Sequence, residues 1–373
     1  MALETVASAK PAKASRLIGC GLSAVLLLGL LTIALIGAEV GMSHLIQAMI
    51  LAMIPAPFYI AIALWLDRFE AEPTRLLVYA FVWGAAGAIF ISYVLNTLFG
   101  AIVAQTQTGD SANQLMAVIS APVVEEVSKG LALFTLFFWK KDEFDNITDG
   151  IVYAALVALG FAMVENFLYY GRALSEGVQT ATQTFILRGI IAPFSHPLFT
   201  AMTGIGLGWA QQSGKKSARW IGPLAGLACA ILLHALWNLS ATISGEVFLG
   251  IYVIVMMPAF LGVGIIVFFS LKREGRIIRQ HLSSDRAEGR LTEEEYNALG
   301  RSIQRMRRSW RALRRGGPSS WRACRRFHQT ASELAFHRWR VERDQLELTD
   351  QLLQIELLHL AALQQLRQNI RQE

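Results

Sequence analysis

Two adjacent glutamates, Glu125 and Glu126, lie within a long apolar stretch, and Lys129 follows three residues later. A charge at bilayer depth costs at least about 2.5–3.5 kcal/mol, so such residues are rare unless they have a role. A carboxylate in an apolar setting can take a proton from water, which then attacks a carbonyl carbon. Lys129 lies four residues after Glu125, on the same helix face. We therefore expect it to neutralise one carboxylate partly and to leave the other free for chemistry.

The next three apolar stretches add further polar side chains. Glu165 lies in GFAMVENF, His196 lies between two prolines in APFSHP, and His234 precedes Asn238 by four residues in HALWN. At about 1.5 Å per helical residue, these groups and Glu126 come to a similar depth in the outer half of the membrane. The pattern predicts one polar cavity lined by four consecutive spans. Taken singly, each residue has a structural alternative, such as a helix–helix hydrogen bond for a lone histidine.

The residue types at this site restrict the chemistry. The sequence has no HExxH zinc helix, no GxSxG nucleophile elbow and no cysteine among the polar residues. Carboxylate and imidazole remain, and they allow two ways to activate water. In the first, a glutamate deprotonates the water and imidazole or amide N–H groups hold the oxyanion. In the second, glutamate and histidine together ligate a divalent metal such as zinc. The residues do not separate these alternatives.

The elements that must position these residues are membrane helices. Of the 373 residues, 54% are hydrophobic and 17% charged, against roughly 25% charged in soluble proteins. The sequence predicts an all-α polytopic membrane protein, with Asp149 as the N-cap of its fifth span. A span needs about 20 apolar residues. Eight stretches qualify, at about 17–37, 45–66, 76–103, 115–139, 150–170, 186–210, 219–243 and 247–271.

Basic residues predict the orientation of these spans. Lys10, Lys13 and Arg16 precede the first span, and alternate loops carry further basic residues. These are Arg68 and Arg75, Lys140 and Lys141, and Lys215, Lys216 and Arg219. The positive-inside rule then places both termini in the cytoplasm. The predicted domains are a cytoplasmic segment 1–16, an eight-span domain 17–271 and a cytoplasmic tail 272–373. A signal peptide is the alternative for the first span, but its length of about 21 residues favours a retained helix.

The tail has a composition of its own. It holds 21 of the 34 basic residues of the chain, and the stretch from Arg301 to Arg326 is rich in arginine and includes Trp310 and Trp321. Such a segment suits anionic lipid headgroups, at about 1 kcal/mol per basic residue near the surface. Nucleic acid is the other partner of basic, aromatic stretches. A tail tethered beneath a bilayer meets lipid first, so we expect no nucleic acid. Residues 330–371 are predicted to form amphipathic helix with a packing face.

The polar motifs, taken in order, resemble the PrsW family of bacterial intramembrane proteases, which is similar to the CAAX-type prenyl proteases. The resemblance covers about residues 60–271. Its matching residues are Glu125-Glu126-x-x-Lys129, Phe161-x-x-x-Glu165-Asn166, His196 within APFSHP, and His234-x-x-x-Asn238.

This resemblance implies a set of roles. The paired glutamates would activate water, and His196 and His234 with Asn238 would orient or stabilise the tetrahedral intermediate. Glu165 stands where CAAX proteases carry a histidine, which argues against prenyl-protein processing. It leaves Glu165 as a second acid/base group or as a metal ligand.

The sequence therefore predicts an intramembrane endopeptidase of the bacterial plasma membrane. Its expected substrate is a membrane-anchored protein, and the resemblance suggests an anti-sigma factor cut on its outer side. An ion-coupled carrier is one alternative, because paired intramembrane carboxylates and broken helices also serve ion pathways. The Glu-Glu stretch has no counterpart in the first three spans, so no inverted repeat supports a carrier. The other alternative is a non-catalytic scaffold that presents the basic tail.

Overall fold

A computed structural model describes residues 12–107, 109–213, 215–343 and 349–371. Within these ranges the regular structure is helical and no strand occurs, which confirms the predicted all-α class. The chain divides into two compact units. The membrane unit comprises residues 12–66 and 72–267 of the described chain, and the C-terminal unit comprises residues 67–71 and 268–371. The predicted boundary at 271/272 lies close to the one between the units, but the short loop 67–71 was not expected to belong with the tail.

The helices of the membrane unit are interrupted by short π-helical segments. These lie at Trp83–Ala88, Met116–Ser120, Ile186–Ile191 and Tyr252–Met256. Such widened turns are often found at functional sites. The α-helices are α1 Ala12–Val40, α2 Met42–Met53, α3 Ala56–Leu66, α4 Thr74–Val82, α5 Ile89–Val103, α6 Asp110–Leu115, α7 Ala121–Trp139, α8 Ile147–Glu176, α9 Val178–Phe185, α10 Ser195–Gln212, α11 Ala218–Ile243, α12 Gly245–Ile251 and α13 Met257–His281, the last of which continues into the C-terminal unit.

Seven helical stretches in the described part of the chain are long and apolar enough to cross a membrane. They match seven of the eight predicted spans, which shows a polytopic membrane protein. The eighth predicted span, 115–139, is also helical, through Met116–Ser120 and α7. It carries three ionisable residues, which make it too polar to count among these seven stretches. That α7 crosses the membrane, and hence the parity of the spans, stays a prediction.

Helix α8 is the centre of the membrane unit, and glycines bring its neighbours close. Added to Gly150, a Cβ atom would lie 2.1 Å from the carbonyl oxygen of Gly204 on α10. At Gly84, next to α4, it would lie 1.9 Å from the carbonyl oxygen of Val157 on α8. Small residues allow such backbone contact between membrane helices. The distances from α8 to α10 and to the segment Trp83–Ala88 are therefore set largely by main chain rather than by adjustable side chains.

The first turn of α8 corrects one prediction. Asn146, not Asp149, is the N-cap, and its side chain accepts hydrogen bonds from the backbone N–H groups of Thr148 and Asp149. Asp149 occupies the third helical position, and its carboxylate accepts from the backbone N–H of Asn146 at 3.0 Å. The two side chains form a reciprocal capping box. Either residue is a good cap by type, so the sequence placed the helix start three residues late.

The C-terminal unit is helical and has its own apolar core. Its helices are α14 Ser283–Ala287, α15 Glu293–Leu299, α16 Ser302–Arg343 and α17 Asp350–Arg371, and α16 bends at Gly317, where φ is +69°. Phe327, Leu334 and Phe336 are buried. The loop 67–71 is held through Glu70, which pairs with Arg340 at 2.9 Å. Part of the arginine content of the tail therefore stabilises this unit internally.

The glycine contact between α8 and α10 predicts a large effect of a single methyl group. We expect Gly150→Ala to lower the thermal midpoint of the purified protein, because overpacking of this kind costs about 1–3 kcal/mol. Gly262→Ala is the matched control. Nothing lies within 4 Å of its added Cβ, so its midpoint should not fall. Equal midpoints for the two variants in a detergent melting assay would contradict the role of this contact.

Candidate active site

Lys129 lies fully buried at the centre of the polar cluster. Its Nζ atom is 2.8 Å from Oε1 of Glu126 and 3.5 Å from Oε2 of Glu125. The same atom lies 2.9 Å from Nδ1 of His196. The ammonium also sits over the ring of Phe161, 4.0 Å from its centroid, an attraction that strengthens in a dry setting. Lys129 therefore joins two helices beyond its own.

Both carboxylate oxygens of Glu126 contact protein groups, so neither is left for a substrate. Its Oε1 atom also contacts Nδ1 of His234 at 3.0 Å, and its Oε2 atom accepts a hydrogen bond from Oγ1 of Thr200 at 2.8 Å. The side chain is 0% exposed and does not line the cavity described below. A carboxylate that contacts one nitrogen of a histidine fixes the direction of the other nitrogen. Glu126 thus orients His234.

Glu125 is the member of the pair that faces open space. It lines a cavity of about 370 Å³. Its Oε2 atom lies 3.9 Å from Nε2 of His234, the nitrogen that Glu126 leaves free. The contact of Lys129 with Glu125 is also longer than its contact with Glu126. Lys129 therefore contacts both carboxylates and lies closer to Glu126, whereas the i,i+4 spacing had pointed to Glu125 as the neutralised partner.

The other predicted site residues lie around the same cavity. Glu165, His196, His234 and Asn238 all line it, so the structure brings together residues from α7, α8, α10 and α11. Asn238 does not form a hydrogen bond with His234. Its Nδ2 atom donates to the carbonyl oxygen of Ala117 at 2.7 Å, within the π-helical segment before α7. It thereby ties α11 to that segment.

Glu165 connects His196 to Arg188, a cation that the sequence analysis did not single out. Its Oε2 atom lies 3.0 Å from Nε2 of His196 and also accepts from Arg188. Arg188 donates through Nε to Asn166 at 2.6 Å and lies over the ring of Tyr169. Arg188 lines the cavity too. An ionisable residue at membrane depth is itself a signal of function, and that signal could have identified Arg188.

Thr200 is the second residue that the sequence did not single out. It is 0% exposed and donates to Glu126. It lies one helical turn after His196, so the same face of α10 that carries the histidine also carries the hydroxyl. A threonine in an apolar helix has no charge to draw attention to it. Only its position four residues after His196 could have indicated the contact.

Three donor atoms in the cluster are close enough to share a metal ion. Atoms of Glu125, His196 and His234 lie within 4.8 Å of one another, and all three residues are buried. Two imidazoles and one carboxylate form the ligand set of many catalytic zinc sites. The contact of Glu126 with Nδ1 of His234 supplies the outer carboxylate that usually supports such a ligand. The donor set therefore fits a divalent transition metal, with the cavity on its open side.

The buried charge arrangement predicts that Lys129 can be removed only together with a carboxylate. We expect Lys129→Met to destabilise the protein by about 3–5 kcal/mol, because it leaves buried carboxylates uncompensated. The double variant Lys129→Met/Glu126→Gln removes one charge of each sign and should recover most of that loss. Thermal midpoints of the purified variants measure both effects. A double variant that melts no higher than Lys129→Met would contradict this pairing.

Comparison with known proteins identifies the chain. Residues 72–263 match the profile of the "PrsW family intramembrane metalloprotease". Protease PrsW of Geobacillus kaustophilus is 33% identical over 200 residues, which are 52% of this chain and 80% of that protein. Protease PrsW of Clostridioides difficile is 30% identical over 193 residues, or 51% and 78% of the two chains.

A third relative, Protease PrsW of Bacillus subtilis, is 28% identical over 180 residues, which are 47% of this chain and 74% of that protein. No solved structure matches the chain. The matched range begins after the loop 67–71 and ends before the basic tail. It includes every residue of the polar cluster described above. The chain therefore belongs to the PrsW family of intramembrane metalloproteases.

Proposed function

We propose that the protein hydrolyses a peptide bond of membrane-anchored proteins in the bacterial plasma membrane, near the outer face. The observation that carries the proposal is the trio Glu125, His196 and His234, whose donor atoms meet at one cavity. Glu125, His196 and His234 would hold a divalent metal such as zinc. When bound, such an ion polarises a water molecule and the substrate carbonyl. An anti-sigma factor is a fitting substrate of this class.

In this proposal the protein groups around the trio have separate tasks. Glu126 keeps Nε2 of His234 directed into the cavity, so it is a positioning residue. Lys129 compensates the charge of the paired carboxylates and contacts Nδ1 of His196. Both act through their neighbours, since neither lines the cavity. This changes the role that the resemblance had implied for Glu126, which was water activation.

Glu165 is the cavity carboxylate outside the trio, and we assign it the proton transfers. It would take the proton of the attacking water and pass it to the amine that leaves when the C–N bond breaks. Arg188 pairs with Glu165 directly and holds its carboxylate in place. The contact of Glu165 with His196 keeps the carboxylate next to the trio. Asn238, whose amide donates to Ala117, holds the cavity wall in place.

The first test compares the N-termini of membrane proteins in cells with wild type, no protein, Glu125→Gln or Glu176→Gln at matched expression. Glu176 is exposed, so its variant controls for the loss of a carboxylate. We expect a few membrane proteins to gain outer-side N-termini only with wild type and Glu176→Gln. Equal products with Glu125→Gln would remove Glu125 from the site. Products that never depend on the protein would favour the carrier or the scaffold.

Metal affinity separates the two glutamates. We expect Glu126→Gln to weaken zinc binding by about 10–100-fold, as the loss of an outer carboxylate usually does. Glu125→Gln, which removes a proposed ligand, should bind no zinc at the concentrations that saturate wild type. Calorimetric titration of the purified, chelator-treated proteins measures both, with Glu176→Gln as the control. An unchanged affinity in Glu125→Gln would exclude Glu125 as a ligand.

The basic tail offers a surface for anionic lipid headgroups. On α16, Ile303, Met306 and Trp310 are exposed by 62%, 49% and 55%. Their spacing puts them on one helix face, and Arg307 and Arg314 are exposed beside them. An apolar stripe flanked by arginines is typical of helices that lie in a membrane interface. We propose that this stripe binds the headgroup region of an anionic bilayer.

An environment-sensitive fluorophore tests this surface. It is attached at Met306→Cys in the full-length chain, with Cys20, Cys229 and Cys324 replaced, and the protein is reconstituted into vesicles. We expect a blue-shifted emission in phosphatidylcholine–phosphatidylglycerol vesicles that is lost in high salt, because the attraction is electrostatic. The exposed Glu288→Cys serves as the control site and should stay water-like. Water-like emission at Met306 in anionic vesicles would overturn the proposal.

A further inference from the structure

A second cavity lies beside the polar one and is almost wholly apolar. It has a volume of about 290 Å³ and lies between the first turns of α10, the C-terminal part of α11 and the last span. Leu198, Phe199, Met256 and Phe260 are among its walls. The hydroxyl of Tyr252 donates to the carbonyl oxygen of Ile191 at 2.8 Å and joins the last span to the broken helix before α10. We call this cavity the apolar groove.

The apolar groove adjoins the candidate active site. Ala192, Ser195 and Trp237 line both cavities. A chain segment that lies in the groove therefore lies against the wall that the groove shares with the cavity of Glu125 and the two histidines. Ala192, where the helix breaks before Pro193, is part of this shared wall.

The junction of the two cavities also carries polar groups without partners. The hydroxyl of Ser195 and the indole N–H of Trp237 form no hydrogen bond with any residue in the described part of the chain. Both side chains are half-buried. A half-buried indole usually finds an acceptor. A lipid acyl chain offers none, whereas an unwound peptide segment offers carbonyl groups that must be satisfied within the membrane.

We propose that the apolar groove binds the membrane-spanning segment of the substrate and feeds it to the active site, with Ser195 and Trp237 bonding its backbone. The inference rests on the proposed function for the identity of the substrate, but occupancy of the groove can be measured without any cleavage. The occupant is an apolar peptide segment. Lipid alone in the groove is the competing outcome.

The test is photo-crosslinking in the full-length Glu125→Gln protein, so that a bound peptide is not consumed. Benzoylphenylalanine replaces Phe260, which lines the groove, or Ile254 as the control. Ile254 is 73% exposed on the same span and is not among the groove residues. The probe is a synthetic single-span peptide of leucine and alanine, with a central Gly-Gly pair and lysine ends. Both are reconstituted in phosphatidylcholine–phosphatidylglycerol vesicles.

We expect peptide adducts at position 260 in clear excess over position 254. Trp237→Phe should lower the yield at 260 about fivefold, which is what the loss of one neutral hydrogen bond amounts to. Leu261→Trp, at an exposed groove position, should fill the groove and abolish the adduct. Ile265→Trp, exposed on the same helix but outside the groove, should leave it unchanged.

Two results would overturn the proposal. One is that, with the peptide present, position 260 forms adducts with lipid and none with the peptide. The other is an equal peptide yield at positions 260 and 254. Failure of the proposed function would look different. In that case the adduct would form at 260, while wild type would bind no zinc and release no product from any membrane protein.

Discussion

One buried ammonium group determines how the site is arranged. Lys129 contacts both glutamates of α7 and a histidine of α10, and rests on the ring of Phe161. A buried charge without a partner costs several kcal/mol, so Lys129 and Glu126 must stay together. Glu126 in turn fixes the imidazole of His234. The contacts that make α7 tolerable in an apolar bundle are therefore the same contacts that aim a nitrogen of His234 into the cavity.

The sequence was sufficient to find the polar residues but not to assign a separate role to each of them. Charges at bilayer depth are rare enough that Glu125, Glu126 and the histidines stand out without any structure. Adjacent helical residues differ by about 100° in direction. Which of the two glutamates meets the cavity depends on the rotation of α7. That rotation is held by contacts such as the hydrogen bond from the Trp83 indole to the carbonyl oxygen of Ser128, which no local pattern reveals.

Contacts between distant parts of the chain could not be predicted from the sequence either. The apolar spans were predictable because each depends only on local composition. The pairing of Arg340 with Glu70 joins residues 270 positions apart, and one ion pair among many arginines has no signal in the sequence. The same holds for Arg188, whose charge was visible while its pairing with Glu165 was not. Local composition thus predicts the elements, and long-range contacts decide what each polar side chain does.

The three ionisable residues of α7 have a consequence for biosynthesis. A segment enters the bilayer readily when its own apolarity is sufficient, and each central charge raises the cost of insertion. The groups that contact the charges of α7 from other helices are His196, Thr200 and His234. They lie on α10 and α11, 67 to 108 residues later in the chain. Helix α7 therefore reaches its final place only after much of the following membrane domain has been synthesised. Chain elongation, and not α7 itself, sets the moment at which the polar cluster can exist.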